Sequence, residues 1–150
     1  MTKLLLSLHV LAAILAVGPI AVAASLFPRF ARGTDERSRG VAALLHRICR
    51  GYAVFGIAVP AFGLATGASL GVLTDAWLLA SIVLTAIAAV VLALAILPGQ
   101  QALLADPLNE TPAAPARRGM PLPAVTGVFN LLWAIVVVLM IVRPGSTTGA

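Results

Sequence analysis

Residues 3–30, KLLLSLHVLAAILAVGPIAVAASLFPRF, carry no charge from Leu4 to Phe27 and close on Arg29, with Arg32 just beyond. A helix crossing a ~30 Å hydrocarbon core needs roughly 20 apolar residues. This stretch therefore reads as a membrane span over about 4–27. His9 is its one ionisable side chain between those ends. Gly18-Pro19 would break a helix in water. In lipid it is tolerated where neighbouring helices re-satisfy the freed carbonyl, so the pair predicts a kink.

The same residues admit a rival reading. Lys3, an apolar core, Gly18-Pro19 and then Ala21-Val22-Ala23 resemble a secretory signal peptide with an A-x-A cleavage site. Two features weigh against it. The apolar run continues past Ala23 to Phe27. A signal peptide would also leave the arginine-rich segment that follows outside the cell, against the charge distribution given below.

The rest of the chain agrees with a membrane class. Of its 150 residues 61% are hydrophobic and 10% are charged, against about 25% charged in soluble domains. Further apolar stretches at about 50–73, 77–97 and 123–142 make four spans, an all-α bundle in one domain. Thr34-Asp35-Glu36, ahead of SRGVAALLHRICR, reads as a helix start with acids in its first turn. Val41, Leu44, Leu45 and Ile48 then recur at helical spacing away from Arg37, Arg47 and Arg50. That pattern predicts a short amphipathic helix on the cytoplasmic surface before the second span. Pro60 predicts a second kink, since the carbonyl it leaves free is that of Gly56. Residues 98–122, rich in proline, read as an extended or flexible loop.

The net charge of +5 is unevenly placed. Arg29, Arg32, Arg37, Arg39, Arg47 and Arg50 fall in the first connection and Arg117 and Arg118 in the third. Only Lys3 and Arg143 lie on the other side. The positive-inside rule puts both long connections in the cytoplasm and both termini outside, in a plasma or inner membrane. It makes Arg29, Arg32, Arg47 and Arg50 candidates for contact with anionic lipid head groups. Nothing suggests nucleic-acid binding, which needs base-reading or stacking groups beside the basic ones. The single cysteine, Cys49, excludes an intrachain disulfide and reads as a small buried residue.

Gly63, Gly67 and Gly71 form a small-residue ladder that would let helices approach closely. Ser81, Thr85, Ala89 and Ala93 form a ridge that would pack on it. The ladder also offers a seam for a homo- or hetero-oligomer. Asn130, nearer mid-bilayer, would tie the fourth span to a neighbour by hydrogen bonding.

Intramembrane ionisable groups are costly and by default hint at function. His9 shares its face with Ala12, Ala13 and Ala16. At ~1.5 Å rise per residue it lies about 9 Å below the outer end of its span, and Thr66 and Ser81 about 6–8 Å below theirs. The three would line one outer-leaflet site. His46 lies on the cytoplasmic side, as a surface residue at the head groups, too far away to share an iron with His9. Haem held by His9 alone, or with a weak partner such as Met140, stays open. So does a plain interhelical hydrogen bond. No span carries a carboxylate, and no catalytic set falls at one depth. These features argue against proton-coupled transport and against an enzyme.

LLLSLHVLAAILAVG…LFPRFAR resembles the first span of a superfamily of small bacterial membrane proteins. That superfamily includes the CopD-type copper-resistance membrane domain, the HemJ-type protoporphyrinogen oxidase and uncharacterised integral membrane proteins. The matching positions are His9 and Pro28-Arg29. The resemblance implies a four-helix bundle with His9 as an axial ligand of haem b. The HemJ type also has a lysine just after a tryptophan early in the third span. Here Trp77-Leu78-Leu79-Ala80-Ser81 has none, and the uncharacterised members fit best. The sequence reading is thus an accessory or haem-b-binding membrane protein. The alternatives are a structural subunit without a cofactor and a membrane oxidoreductase.

Overall fold

A computed structural model describes residues 1–105 and 120–145, and among these every regular element is helical. The helices are α1 (Thr2–Ala31), α2 (Glu36–Phe55), α3 (Ala58–Leu70), α4 (Ala76–Val91), α5 (Leu97–Ala105) and α6 (Leu122–Val142), with a π-helical turn at Leu92–Ile96 between α4 and α5. Four stretches are long and apolar enough to cross a membrane: Thr2–Ala31, Glu36–Leu70, Ala76–Ala105 and Leu122–Val142. Large apolar side chains such as Ile14, Phe55, Leu94 and Ile141 point outward. So many outward-facing apolar side chains suit contact with lipid.

α1 is the centre of the bundle. It packs mainly on α2 and α3, while α6 packs mainly on α4, and a contact between α1 and α6 joins the two pairs. Ile20, Ala24, Phe27, Cys49, Ala88, Ile96 and Phe129 form the core. α1 is a single helix through both Pro19 and Pro28.

α2 begins where the sequence places a helix start. Asp35 is the N-cap, accepting at 2.9 Å from the Ser38 amide and at 2.7 Å from its hydroxyl. The short amphipathic helix expected before the second span is not a separate element. Glu36–Phe55 is one unbroken helix. Its buried side is Ala42, Leu45 and Cys49, and Leu44 is exposed. The helix that carries the second apolar stretch therefore starts well before residue 50. Its break comes at Gly56-Ile57, one turn before Pro60. Pro60 has no amide to give the Gly56 carbonyl, and the Val59 amide takes that carbonyl instead at 3.2 Å.

α3 ends on Gly71 at φ 71°, with the Val72 amide donating to the Gly67 carbonyl at 3.1 Å. This left-handed cap favours glycine. Gly71 thus stops the helix and takes no part in a packing ladder; nothing lies near where its Cβ would be.

Residues 98–105, expected as loop, are helical. Pro98 would break an ordinary α-helix by removing one hydrogen bond and crowding the Leu94 carbonyl. The π turn at Leu92–Ile96 widens the helix just before it, which is one way a chain absorbs such a clash. The expected loop's remaining residues 106–119, including Arg117 and Arg118, lie outside the described residues.

The expected ridge is also shifted. Ser81 is buried, but Ala89 and Ala93 are exposed, and the buried side of this span is Trp77, Ser81, Ala88, Leu92 and Ile96. A spacing of four drifts around a helix of 3.6 residues per turn. α4 therefore turns its buried side to α6, and touches α3 only near their shared turn.

Candidate functional site

His9 is the ionisable group within the apolar run of α1, and the fold closes over it. It is 8% exposed. Its Nδ1–H donates to the Val59 carbonyl of α3 at 2.8 Å. A carbonyl can only accept, so Nδ1 is the donor. The ring lies against Gly63, where an added Cβ would stand 2.9 Å from Cε1 and 3.1 Å from Nδ1. Glycine at 63 is what allows α1 and α3 to meet with an imidazole between them. A cavity of about 370 Å³ lies beside the same face of α1. It is lined by Ala12, Leu15, Ala16, Tyr52, Phe55 and Ala58 and not by His9.

Thr66 and Ser81 are both buried, and neither hydrogen-bonds to His9. The Thr66 hydroxyl donates to the Phe62 carbonyl at 2.7 Å and the Ser81 hydroxyl to the Trp77 carbonyl at 2.8 Å. Each is thus spent on its own helix, as serine and threonine commonly are in apolar surroundings. Gly67 is covered by Leu78 and Leu73 of the same chain. Gly63 and Gly67 therefore serve packing inside the bundle. Thr85 is half-buried on α4. Met140 offers its carbonyl to Arg143 at the end of α6. Arg29, Arg32, Arg47 and Arg50 are all exposed.

Three further polar features link the helices. Gln100 is completely buried, and its Oε1 accepts from Nδ1–H of His46 at 3.0 Å. Its amide donates to Cys49 Sγ at 3.6 Å, and the thiol points to the Ile20 carbonyl at 3.9 Å. This chain of contacts ties α2, α5 and α1 together. His46 and Cys49 are therefore neither a free surface histidine nor a bland core residue. Second, Asn130 Nδ2 donates to the Ser25 hydroxyl of α1 at 3.1 Å, the interhelical tie expected of it, while Thr126 Oγ1, Asn130 Oδ1 and Trp133 Nε1 are buried without partners among the described residues. Third, at the opposite end Trp77 donates to Asp75 at 3.0 Å, and the Arg143 guanidinium lies 5.5 Å from the centre of its ring. The start of α4 and the end of α6 are thus clamped on one side.

Among the described residues no three metal-ligating side chains cluster. Comparison with protein families, curated proteins and solved structures finds no match to this chain.

Proposed function

We propose that the chain is a non-enzymatic accessory protein of the cell membrane, with its arginine-rich connections in the cytoplasm and both termini outside. In this reading His9 is a structural clamp between α1 and α3. The early part of α2 lies in the head-group layer, where Arg29, Arg32, Arg47 and Arg50 meet anionic lipid. The carrying observation is the His9–Val59 hydrogen bond over Gly63. The ring is buried and committed to a neighbouring backbone, the arrangement by which polar side chains hold helices together in lipid. Sidedness is supported by eight basic residues in the long connections against two elsewhere.

A second reading, haem b on His9, draws on one feature. An imidazole whose Nδ1–H is held by a carbonyl presents Nε2 as a ligand atom. The donor suits an iron; the surroundings do not. The ring is nearly sealed, and Thr66 and Ser81 are turned to their own helices. A macrocycle would have to push α1 and α3 apart, so no chemistry is derived through it.

The test is a visible absorption spectrum of detergent-purified protein from haem-replete cells, oxidised and then reduced with dithionite. A flat spectrum supports the clamp. A Soret band that disappears in His9→Ala, with the fold retained, overturns it in favour of haem binding.

A further inference from the structure

The four candidate spans differ in length. Three have 30, 35 and 30 residues and the fourth, α6, has 21. An added Cβ on Gly99 would sit 3.2 Å from Leu122, so α6 starts level with Gly99. From Gly99 to the end of α5 is about 9 Å at 1.5 Å per residue. α5 therefore runs on past α6 at the arginine end, and the end of α1 and the early turns of α2 run beside it. The excess over a ~30 Å core belongs in the head-group layer, which brings a bilayer to about 40–45 Å.

At this level three helices surround a cavity of about 260 Å³. Its walls are Ala31 of α1, Arg39, Ala42 and Ala43 of α2, and Leu103 and Leu104 of α5. Five of the lining residues are apolar and the sixth is Arg39. The acids nearest to Arg39 in sequence are Glu36, three residues before it, and Asp35, four before it; both carboxylate oxygens of Asp35 are turned to Ser38. The cavity thus pairs an apolar interior with a cationic rim, at the depth where a phospholipid's acyl chains join its phosphate.

We propose that this cavity binds one anionic phospholipid, with its phosphate on Arg39 and the upper part of an acyl chain against Ala31, Ala43, Leu103 and Leu104. Charge complementarity selects the head group, and the apolar walls require the chain. The proposal rests on the reading that the arginine end contacts an anionic leaflet. It differs from diffuse attraction to Arg29, Arg32, Arg47 and Arg50, because it assigns one arginine and one groove.

The experiment uses the full chain in neutral detergent, so it does not depend on which side faces the cytoplasm. Thermal unfolding is followed while dioleoylphosphatidylglycerol, dioleoylphosphatidylcholine or inorganic phosphate is added. Phosphatidylglycerol should raise Tm well above the effect of phosphatidylcholine, and phosphate should do nothing. Arg39→Gln should weaken phosphatidylglycerol binding roughly fivefold, the worth of one arginine near anionic lipid. Ala43→Phe, which fills the groove and keeps the charge, should abolish the increment. Arg37→Gln, two residues away and roughly opposite Arg39 on α2, should retain it, and so should Arg47→Gln combined with Arg50→Gln. Equal losses from all the arginine variants would mean diffuse attraction and overturn the site. Stabilisation by phosphatidylcholine or phosphate equal to that by phosphatidylglycerol would overturn it as well. If Ala43→Phe fails to fold, Leu103→Gln replaces it, placing a polar group where the acyl chain lies, with the same expected loss.

Discussion

Gly63→Ala tests the central contact of the bundle. In a helix with open space around it, replacing glycine by alanine stabilises by roughly 0.5–1 kcal/mol. At position 63 the new methyl would stand 2.9 Å from His9 Cε1 and 3.1 Å from Nδ1. A flexible side chain could yield at little cost, but this ring is buried and hydrogen-bonded to Val59. Moving it breaks that interhelical hydrogen bond and leaves a buried N–H unpaired, at about 1–3 kcal/mol. Set against the gain in helix propensity, the net expectation is a loss of about 1–2 kcal/mol. Gly40→Ala is the control, since nothing lies near its Cβ; it should be neutral or slightly stabilising. His9→Ala removes the ring and opens space for the methyl introduced by Gly63→Ala. The double variant should therefore be less destabilised than the sum of the singles by at least about 1 kcal/mol. Reversible unfolding in mixed micelles, read by tryptophan fluorescence, gives all four values. If Gly63→Ala behaves like Gly40→Ala, or if the costs simply add, the ring is not held against Gly63 and the clamp reading fails.

Thr126→Val should leave stability unchanged or raise it by about 1 kcal/mol, because it removes a buried hydroxyl that has no partner and keeps the shape; a clear loss in the same unfolding assay would mean that something completes that hydroxyl. Gln100→Leu should cost about 1–3 kcal/mol, since it strands the His46 N–H and unties α5 from α2; an unchanged unfolding curve would show that the buried amide is not a tie. Asp35→Ala should fray the first turn of α2, seen as faster exchange of the Ser38 amide. In the unaltered chain the hydrogen bonds from the Ser38 side chain and amide hold the Asp35 carboxyl below its ordinary value of 3.8. The cap is therefore fully present above that value and is lost as pH falls through the lowered one. An Asp35→Ala chain whose Ser38 amide exchanges no faster at neutral pH would contradict this.

Part of the site was legible in the residues and part was not. His9 stands out because it is the one ionisable side chain in an apolar run. Its partner does not, because Val59 contributes only a carbonyl, a group every residue carries. Gly63 stands out by its spacing with Gly67, but spacing could not say that an imidazole would cover it. Gln100 was hidden by Pro98, which reads as the end of a helix and turned attention away from a buried polar residue two positions later. Thr126 and Trp133 carry no sequence signal of isolation, since any threonine or tryptophan can find a partner locally.

Local sequence settles the all-helical class, the four stretches long and apolar enough to cross a membrane, the start of α2 at Asp35 and the crowding of positive charge in the connections. These follow from local physics: an apolar length set against bilayer thickness and a side chain capping its own helix. It took the assembled bundle to settle which apolar residues face the core and which face outward, that α5 continues past Pro98, and that His9, His46 and Gln100 each find a partner on another helix. The reason is that lipid and a helical core are both apolar. Hydropathy therefore marks a span along the chain and is nearly blind to direction around it. Direction is set by where small residues let helices approach and by which buried polar groups can pair, and both are properties of the packed helices together.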